Sequence, residues 1–333
     1  MRSARLALVA AVVAAALSAC ATTTNTAGTA APAPSATPPR PAGMLDPASP
    51  APTSSGKPAP TCDPEASSPA PSGPLPEPGH MAAGTPMATI FNHGVLRVGV
   101  DQNTYNWGYR DPMTGQIVGF DIDVARAVAR AIFGRDNAIQ FVAITAAQRI
   151  PYLQQHKVDL VADTMTITCD RLQQVAFSSV YYEAGQQVLV PSTSTAQGIG
   201  DLGGDKVCAA AGSTSIANIT DPRIVKASPP PVPVSVADWT DCLVLLQQGQ
   251  VDAISTDNAI LAGMAAQDPN TKIVGPTFTH EPYGLAMSRD ASDLVRFVNA
   301  VLEKMRRDGE WAAIFHKWLP GPVPAPPVAR YRD

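Results

Sequence analysis

The sequence predicts an α/β protein of two similar lobes behind a long non-globular N-terminus. Three observations carry that prediction. Buried-strand patterns alternate with amphipathic-helix patterns from residue 95 onward, as parallel sheets require. One layout occurs twice, LQQHKVDLVAD at 153–163 and LQQGQVDAIST at 246–256, each a helix ending in LQQ, a two-residue turn and a VD-led strand. Before residue 82 no such pattern exists, and Ala, Pro, Thr and Ser dominate.

The chain has 333 residues, a net charge of −4 and 45% hydrophobic residues. This suits one or two globular domains and supplies no basic field for nucleic acid. Arg2 and Arg5 precede the apolar run LALVAAVVAAALSA, which is too short to span a bilayer. Residues 1–19 therefore read as a secretory signal peptide. LSAC, Leu17 to Cys20, resembles a bacterial lipobox, which implies cleavage and acylation of Cys20, with palmitate as one such acyl chain. Plain secretion is the other reading. Residues 20–81, with about half of the chain's 33 prolines, cannot bury enough apolar surface to fold and read as a disordered tether or a glycosylated stalk. The folded part is expected outside the cell membrane, held by its lipid anchor.

Five cysteines become four once Cys20 is set aside, an even number that suits two disulfides in an exported protein. Three pairings are available. Cys208 and Cys242 share one region and are paired, which leaves Cys62 with Cys169; one bridge and two free thiols is the alternative. There is no CxxC and the five histidines are scattered, so neither a metal nor a cofactor is expected.

In chain order, VLRVGVD (95–101) reads as a buried strand and GFDIDVARAVARAIFG (119–134) as a helix closed by Gly134. Asp121 and Asp123 in its first turn resemble paired catalytic acids or metal ligands, but helix-start acids explain them better. IQFVAI, IPYLQQHK and VDLVAD follow as strand, short helix and strand. In TMTITCDR, period-two alternation places Thr164, Thr166 and Thr168 on one face and Met165 and Ile167 on the other. Beside the lone Arg171 this is either a strand end wetted by water or a docking edge for a small anion. KVCAAAGSTSIANI gives a strand and a Gly-Ser-Thr-Ser turn into a helix, where Ser213 and Thr214 suit a carboxylate or simply cap the helix. Asp257 ends the second repeat as Thr164 and Thr166 follow the first. Ligands of open α/β sheets bind outside such strand ends, so two facing sheets describe a hinged cleft. Hinge crossings are expected around Gln187–Pro191 and His280–Ala286, and VRFVNAVLEKMRRDGEWAAIFHKWL forms the helical end.

GFDIDVARAVA, TITCDR, AFSSVYYEAGQQVLV, VDAISTDNAIL and YGLAMSRD, with the LEKMRRDGEWAAIFHKWL end, resemble extracellular solute-binding proteins of family 3, which bind polar amino acids for ABC importers. The resemblance covers about residues 90 to 320. It implies a type II periplasmic-binding-protein fold, with lobe 1 from 82–190 and 280–320, lobe 2 from 191–279 and a tail at 321–333. It further implies that Thr166 and Arg171 hold the ligand's α-carboxylate, with Ser213 and Thr214 completing the cradle. Thr164 and Asp257 would take the α-ammonium; for Asp257 a surface helix N-cap is the other reading. AITAAQRIPYL resembles the glutamate/aspartate branch, which points Arg149 at a side-chain carboxylate; a helix-face arginine pairing with solvent is the other reading. Ala146 stands where that branch has serine, and DQNTYNW where it has a further arginine; there Asp101, Asn103 and Trp107 would line the floor. The expected ligand is glutamate or aspartate first, then asparagine or glutamine. The expected protein is a monomeric, lipid-anchored receptor serving an ABC permease, with a membrane sensor as the alternative partner and a dehydratase-type enzyme as a distant third reading.

Overall fold

A computed structural model describes residues 38–48 and 61–332; the expected signal peptide, residues 1–19, and Cys20 lie outside them. Two five-stranded sheets carry the fold. In the first, Leu96–Val100 pairs in parallel with Ile139–Ala143 on one side and Leu160–Val161 on the other, and Ala286–Met287 and Ala176–Phe177 complete the sheet. In the second, Lys206–Ala210 pairs in parallel with Val232–Val236 and Ala253–Asp257, followed by Gln186–Pro191 and Thr271–Val274. The two sheets share one plan, three parallel strands and then an antiparallel return.

The repeat explains the likeness. His156 and Gly249 occupy the same turn position and both have positive φ, 50° and 63°. Asp159 Oδ2 then accepts the Arg97 N–H at 2.9 Å, and Asp252 Oδ2 accepts the Lys206 N–H at 2.8 Å. In each case the aspartate of VD ties its strand to the start of the neighbouring one.

Each sheet has its own core. The Phe120–Phe133, Ser292–Arg307 and Glu310–Trp318 helices bury Ile122, Val128, Val298, Leu302 and Trp311 against the first sheet. In the second lobe the bridge between Cys208 and Cys242 joins the central strand to the Trp239–Gln247 helix, and both cysteines are fully buried. The second bridge joins Cys62 and Cys169.

The lobes are joined by a two-stranded ribbon, Tyr182–Ala184 antiparallel to Glu281–Tyr283. The first crossing therefore lies upstream of the expected Gln187–Pro191, which belongs to the second sheet. Apolar residues alone could not separate these neighbours, because QQVLV buries equally well in a strand or a crossing.

The expected tether also differs where it is described. Leu45 exchanges two backbone hydrogen bonds with Ser235, at 2.9 and 3.0 Å, and Ala48 N–H donates to the Pro233 carbonyl at 2.7 Å. Residues 45–48 thus run along the Val232–Val236 edge. Ser68 is buried, donating to the Phe177 carbonyl at 2.8 Å and accepting from Asn299 Nδ2 at 2.7 Å. The C-terminal tail closes over this segment, with Arg330 Nη2 on Asp63 at 2.5 Å and Nη1 on Glu65 at 3.1 Å. These partners are far away in sequence, so a local reading of composition sees only a stretch with no core of its own. Among the described residues no helix is long and apolar enough to cross a membrane.

Candidate interlobe binding site

Beyond Leu160–Val161 the chain turns through Asp163 and Thr164 instead of continuing as a strand. Thr164 has φ +39°, a left-handed conformation rare for a β-branched residue. Asp121 holds it there, its Oδ2 accepting the Thr164 N–H at 2.8 Å and its Oδ1 accepting the Tyr181 hydroxyl at 2.6 Å. Asp121 is a buried strut beneath the tip, and burial pushes its carboxyl up to about 7. Asp123, two residues on, faces outward and pairs with Lys317 and the Trp318 indole, both at 2.7 Å.

The threonine edge is not wetted. Thr164, Met165, Thr166 and Ile167 are all buried. The extended run makes a single bridge, Thr166 to Tyr283, and then enters the four-residue helix Cys169–Leu172. Thr168 caps that helix by accepting the Arg171 N–H at 3.2 Å. The Arg171 side chain doubles back, donating to the Thr166 carbonyl at 2.7 Å and across the cleft to the Gly212 carbonyl at 3.2 Å. Burial and the nearby Arg149 lower its pKa to about 9.

Arg149 is buried beside the same tip. It donates to the Ala146 and Asp163 carbonyls at 3.0 and 2.9 Å and lies 3.9 Å from Asp163 Oδ2. Asp163 was not singled out from sequence. Its carboxyl is raised well above the usual range by burial, which Arg149 partly offsets.

From the second lobe, Asp257 ends the Ala253–Asp257 strand at 3% exposure and makes no cap hydrogen bond to the helix that follows. The surface-cap reading is therefore excluded. Asp257 Oδ2 accepts the Tyr283 hydroxyl at 2.5 Å, and Tyr283 is the bridge partner of Thr166. One side-chain hydrogen bond and one backbone bridge thus connect the tips of both sheets at Tyr283. Burial and the neighbouring Glu281 push Asp257 up to about 7.

Ser213 and Thr214 differ from expectation. Ser213 caps the Thr214–Asn218 helix, accepting from Ile216 N–H at 3.2 Å and donating to the Ala210 carbonyl at 2.7 Å. Thr214 donates to Glu281 Oε2 at 3.0 Å. Both hydroxyls are engaged, and the capping alternative describes Ser213. On the opposite floor, Asp101 is bound up in its own turn, accepting from the Gln102 and Asn103 N–H groups at 2.5 and 2.8 Å and from the Thr104 hydroxyl. Asn103 pairs with Tyr109 in a small separate sheet. Trp107 packs among Phe120, Tyr182 and Tyr283, and its indole N–H donates to the Ala259 carbonyl at 3.1 Å. It is an interlobe strut within an aromatic core, because four aromatic residues from distant segments converge there.

The lobes meet tightly. A Cβ on Gly212, at φ +77°, would lie 2.7 Å from Ala147 Cα, and one on Gly263 would lie 2.7 Å from the Tyr105 carbonyl. Glycine lets the two faces approach this closely.

Three buried acceptor atoms from both lobes have no hydrogen-bond partner in the protein: Asp163 Oδ2, Thr164 Oγ1 and Asp257 Oδ1. Buried polar atoms ordinarily find partners. Two carboxylates and a hydroxyl oxygen around Arg171 can accept from an ammonium while the guanidinium binds an acid, which is the donor and acceptor set an α-amino acid requires. Among the described residues no cluster able to hold a metal ion occurs. Asp163, Glu281 and Tyr283 were missed from sequence; only Asp163 left a signal, since it aligns with Thr256 at the tip of the repeat.

Comparison with known proteins identifies the family. The chain is 40% identical over 234 residues to the ABC transporter glutamine-binding protein of Bacillus subtilis, covering 70% of this chain and 84% of that one. It is 39% identical over 214 residues to the glutamine-binding protein of Geobacillus stearothermophilus, covering 64% and 80%. Among solved structures, an ancestral arginine-binding protein bound to arginine superposes with a TM-score of 0.62 at 36% identity, covering 68% of this chain and 99% of that one. An ancestral arginine-binding protein bound to glutamine gives 0.61 at 35%, covering 68% and 98%. The family model for bacterial extracellular solute-binding proteins, family 3, matches residues 96–321. The chain belongs to that family.

Proposed function

We propose that the protein captures a polar L-amino acid between its lobes, glutamine ahead of glutamate and aspartate, and delivers it to an ABC importer. The observation that carries this reading is the trio of unpartnered buried acceptors, Asp163 Oδ2, Thr164 Oγ1 and Asp257 Oδ1, with Arg171 near both aspartates. In it Arg171 and Thr166 take the α-carboxylate, and Asp257 with Thr164 takes the ammonium. The relatives support an amino-acid ligand: the proteins of Bacillus subtilis and Geobacillus stearothermophilus are both glutamine-binding.

Placing glutamine first reverses the order expected from sequence, and the reason is electrostatic. Arg149 already donates to the Asp163 carbonyl and lies beside its carboxylate. Asp101, Asp121, Asp163, Asp257 and Glu281 share the interior with Arg149 and Arg171. A second ligand carboxylate would join this excess of acid and be desolvated without a free cation, whereas an amide brings both donor and acceptor and no charge.

A thermal-shift screen of the twenty amino acids tests the reading, because a ligand of the folded state alone raises its melting temperature. Glutamine is expected to give the largest shift, with glutamate and aspartate below it. No shift with any amino acid would overturn the function, and glutamate above glutamine would overturn the order.

A further inference from the structure

The N-terminal strap reaches the carboxylate side of the cleft. Cys169, bonded to Cys62, is the first residue of the Cys169–Leu172 helix that carries Arg171. A helix of four residues makes one turn and is too short to hold itself together. Its position must come from its surroundings, and the strap supplies them at both ends. Cys62 holds its start. Six residues on, Ser68 donates to the carbonyl of Phe177 in the strand just beyond it.

The strap is itself anchored. Glu65 pairs with His280 on the second crossing at 2.9 Å and with Arg330 at 3.1 Å. Asn299 Nδ2 donates to the Pro69 carbonyl at 2.7 Å. Pro64 and Glu65, with Thr166, Thr168, Thr214 and Glu281, line a cavity of about 340 Å³ behind the cleft. Strap, crossing and both lobes meet there.

We propose that the Cys62–Cys169 bridge is a positioning device for Arg171, so that breaking it in the folded protein weakens capture of the ligand's α-carboxylate. The two disulfides differ in access. Cys62 is exposed and Cys169 half-buried, whereas Cys208 and Cys242 are fully buried. A mild reductant therefore opens the strap bridge first, because thiol–disulfide exchange requires access to a sulfur. Amino-acid capture by the folded protein becomes sensitive to the redox state outside the cell.

The inference rests on Arg171 as the carboxylate ligand, and the experiment separates the two. Glutamine binding is measured by calorimetry on the oxidised full-length folded protein, on the same protein after mild reduction and thiol blocking at Cys62 and Cys169, and on Cys62→Ser/Cys169→Ser and Cys208→Ser/Cys242→Ser. Loss of preorganisation is expected to weaken binding roughly tenfold or more in the reduced protein and in the first variant. Glutamine and glutamate should weaken by the same factor, since Arg149 is untouched. The buried-bridge variant should lose melting temperature and keep its affinity. An unchanged affinity after reduction overturns the inference, as does an equal loss in both variants, which would make the bridge merely structural. Arg171→Lys supplies the second check: if the bridge acts through Arg171, breaking it in that background costs far less than in the wild type. A wild type that binds no amino acid fails the proposed function instead. The reduced wild type needs no refolding, so a variant that does not fold leaves the test standing.

Discussion

At the end of Leu160–Val161 the chain turns through Asp163 and Thr164, whereas at the end of Ala253–Asp257 it runs directly into the helix Asn258–Gln267. The scaffolds beneath are equivalent, down to the positive φ of His156 and Gly249 and the aspartates of VD. The tips are not. The first gathers Asp163, Thr164, Thr166, Arg149 and Arg171 around a left-handed threonine held by Asp121. The second supplies Asp257, while the nearby Ser213 and Thr214 hydroxyls are committed to a cap and to Glu281. A duplicated sheet thus fixes where the ends lie, and the residues after it decide what each end grips. Lobe 1 holds both guanidiniums; lobe 2 adds one carboxylate and the closing surface.

That asymmetry sets the size of the expected effects. Arg171→Ala should be the largest, weakening glutamine binding by roughly 2–5 kcal/mol, because the ligand's carboxylate is left buried and unpaired. Calorimetry showing an unchanged affinity would remove lobe 1 as the dominant grip. Asp257→Asn should follow, at about 1.5–3 kcal/mol, the value of a hydrogen bond to a charged group.

Asp257 also carries a pH signature. Its carboxyl is raised from 3.8 to about 7 in the folded protein. Its contribution to stability is therefore fully present below about pH 4 and is lost as pH rises through 7. A bound ammonium favours the ionised form, so binding should release protons near pH 6–7 and affinity should rise from pH 5.5 to 8. Titrations in buffers of different ionisation enthalpy measure this release, and Asp257→Asn should reduce it sharply.

Asp163→Asn tests the division of labour inside lobe 1. With its carboxylate neighbour removed, Arg149 is free to meet a ligand acid, and the glutamate-to-glutamine affinity ratio should rise by roughly tenfold. A constant ratio would mean that Arg149 does not face the ligand side chain. Trp107→Phe should be the smallest change. It removes the indole bond to the Ala259 carbonyl, worth about 1 kcal/mol, and should shift the protein toward the open form in solution scattering.

Periodicity and repetition were enough to predict parallel strands in each sheet, the Phe120–Phe133 helix and the helical end, because a buried face imposes its spacing on the residues that build it. The antiparallel strands that complete both sheets were not foreseen. The threonine run and the repeat brought Arg171 and Asp257 forward, the resemblance gave them roles, and the structure buries both. Other features lie beyond a local reading. Thr168, Arg149 and Trp107 have their places decided by partners that the fold brings near, a short helix, Asp163 and the aromatic core. Asp163, Tyr283 and Glu281 belong to the same class.

The N-terminus marks the boundary most clearly. Its composition predicts only that it lacks the apolar surface for a core of its own. Tertiary structure alone decided that residues 45–48 run along one sheet edge and that Ser68 is buried against Phe177 and Asn299. Local sequence encodes which surfaces a segment must bury, while the partners for its backbone groups and its cysteine come from chain more than a hundred residues away.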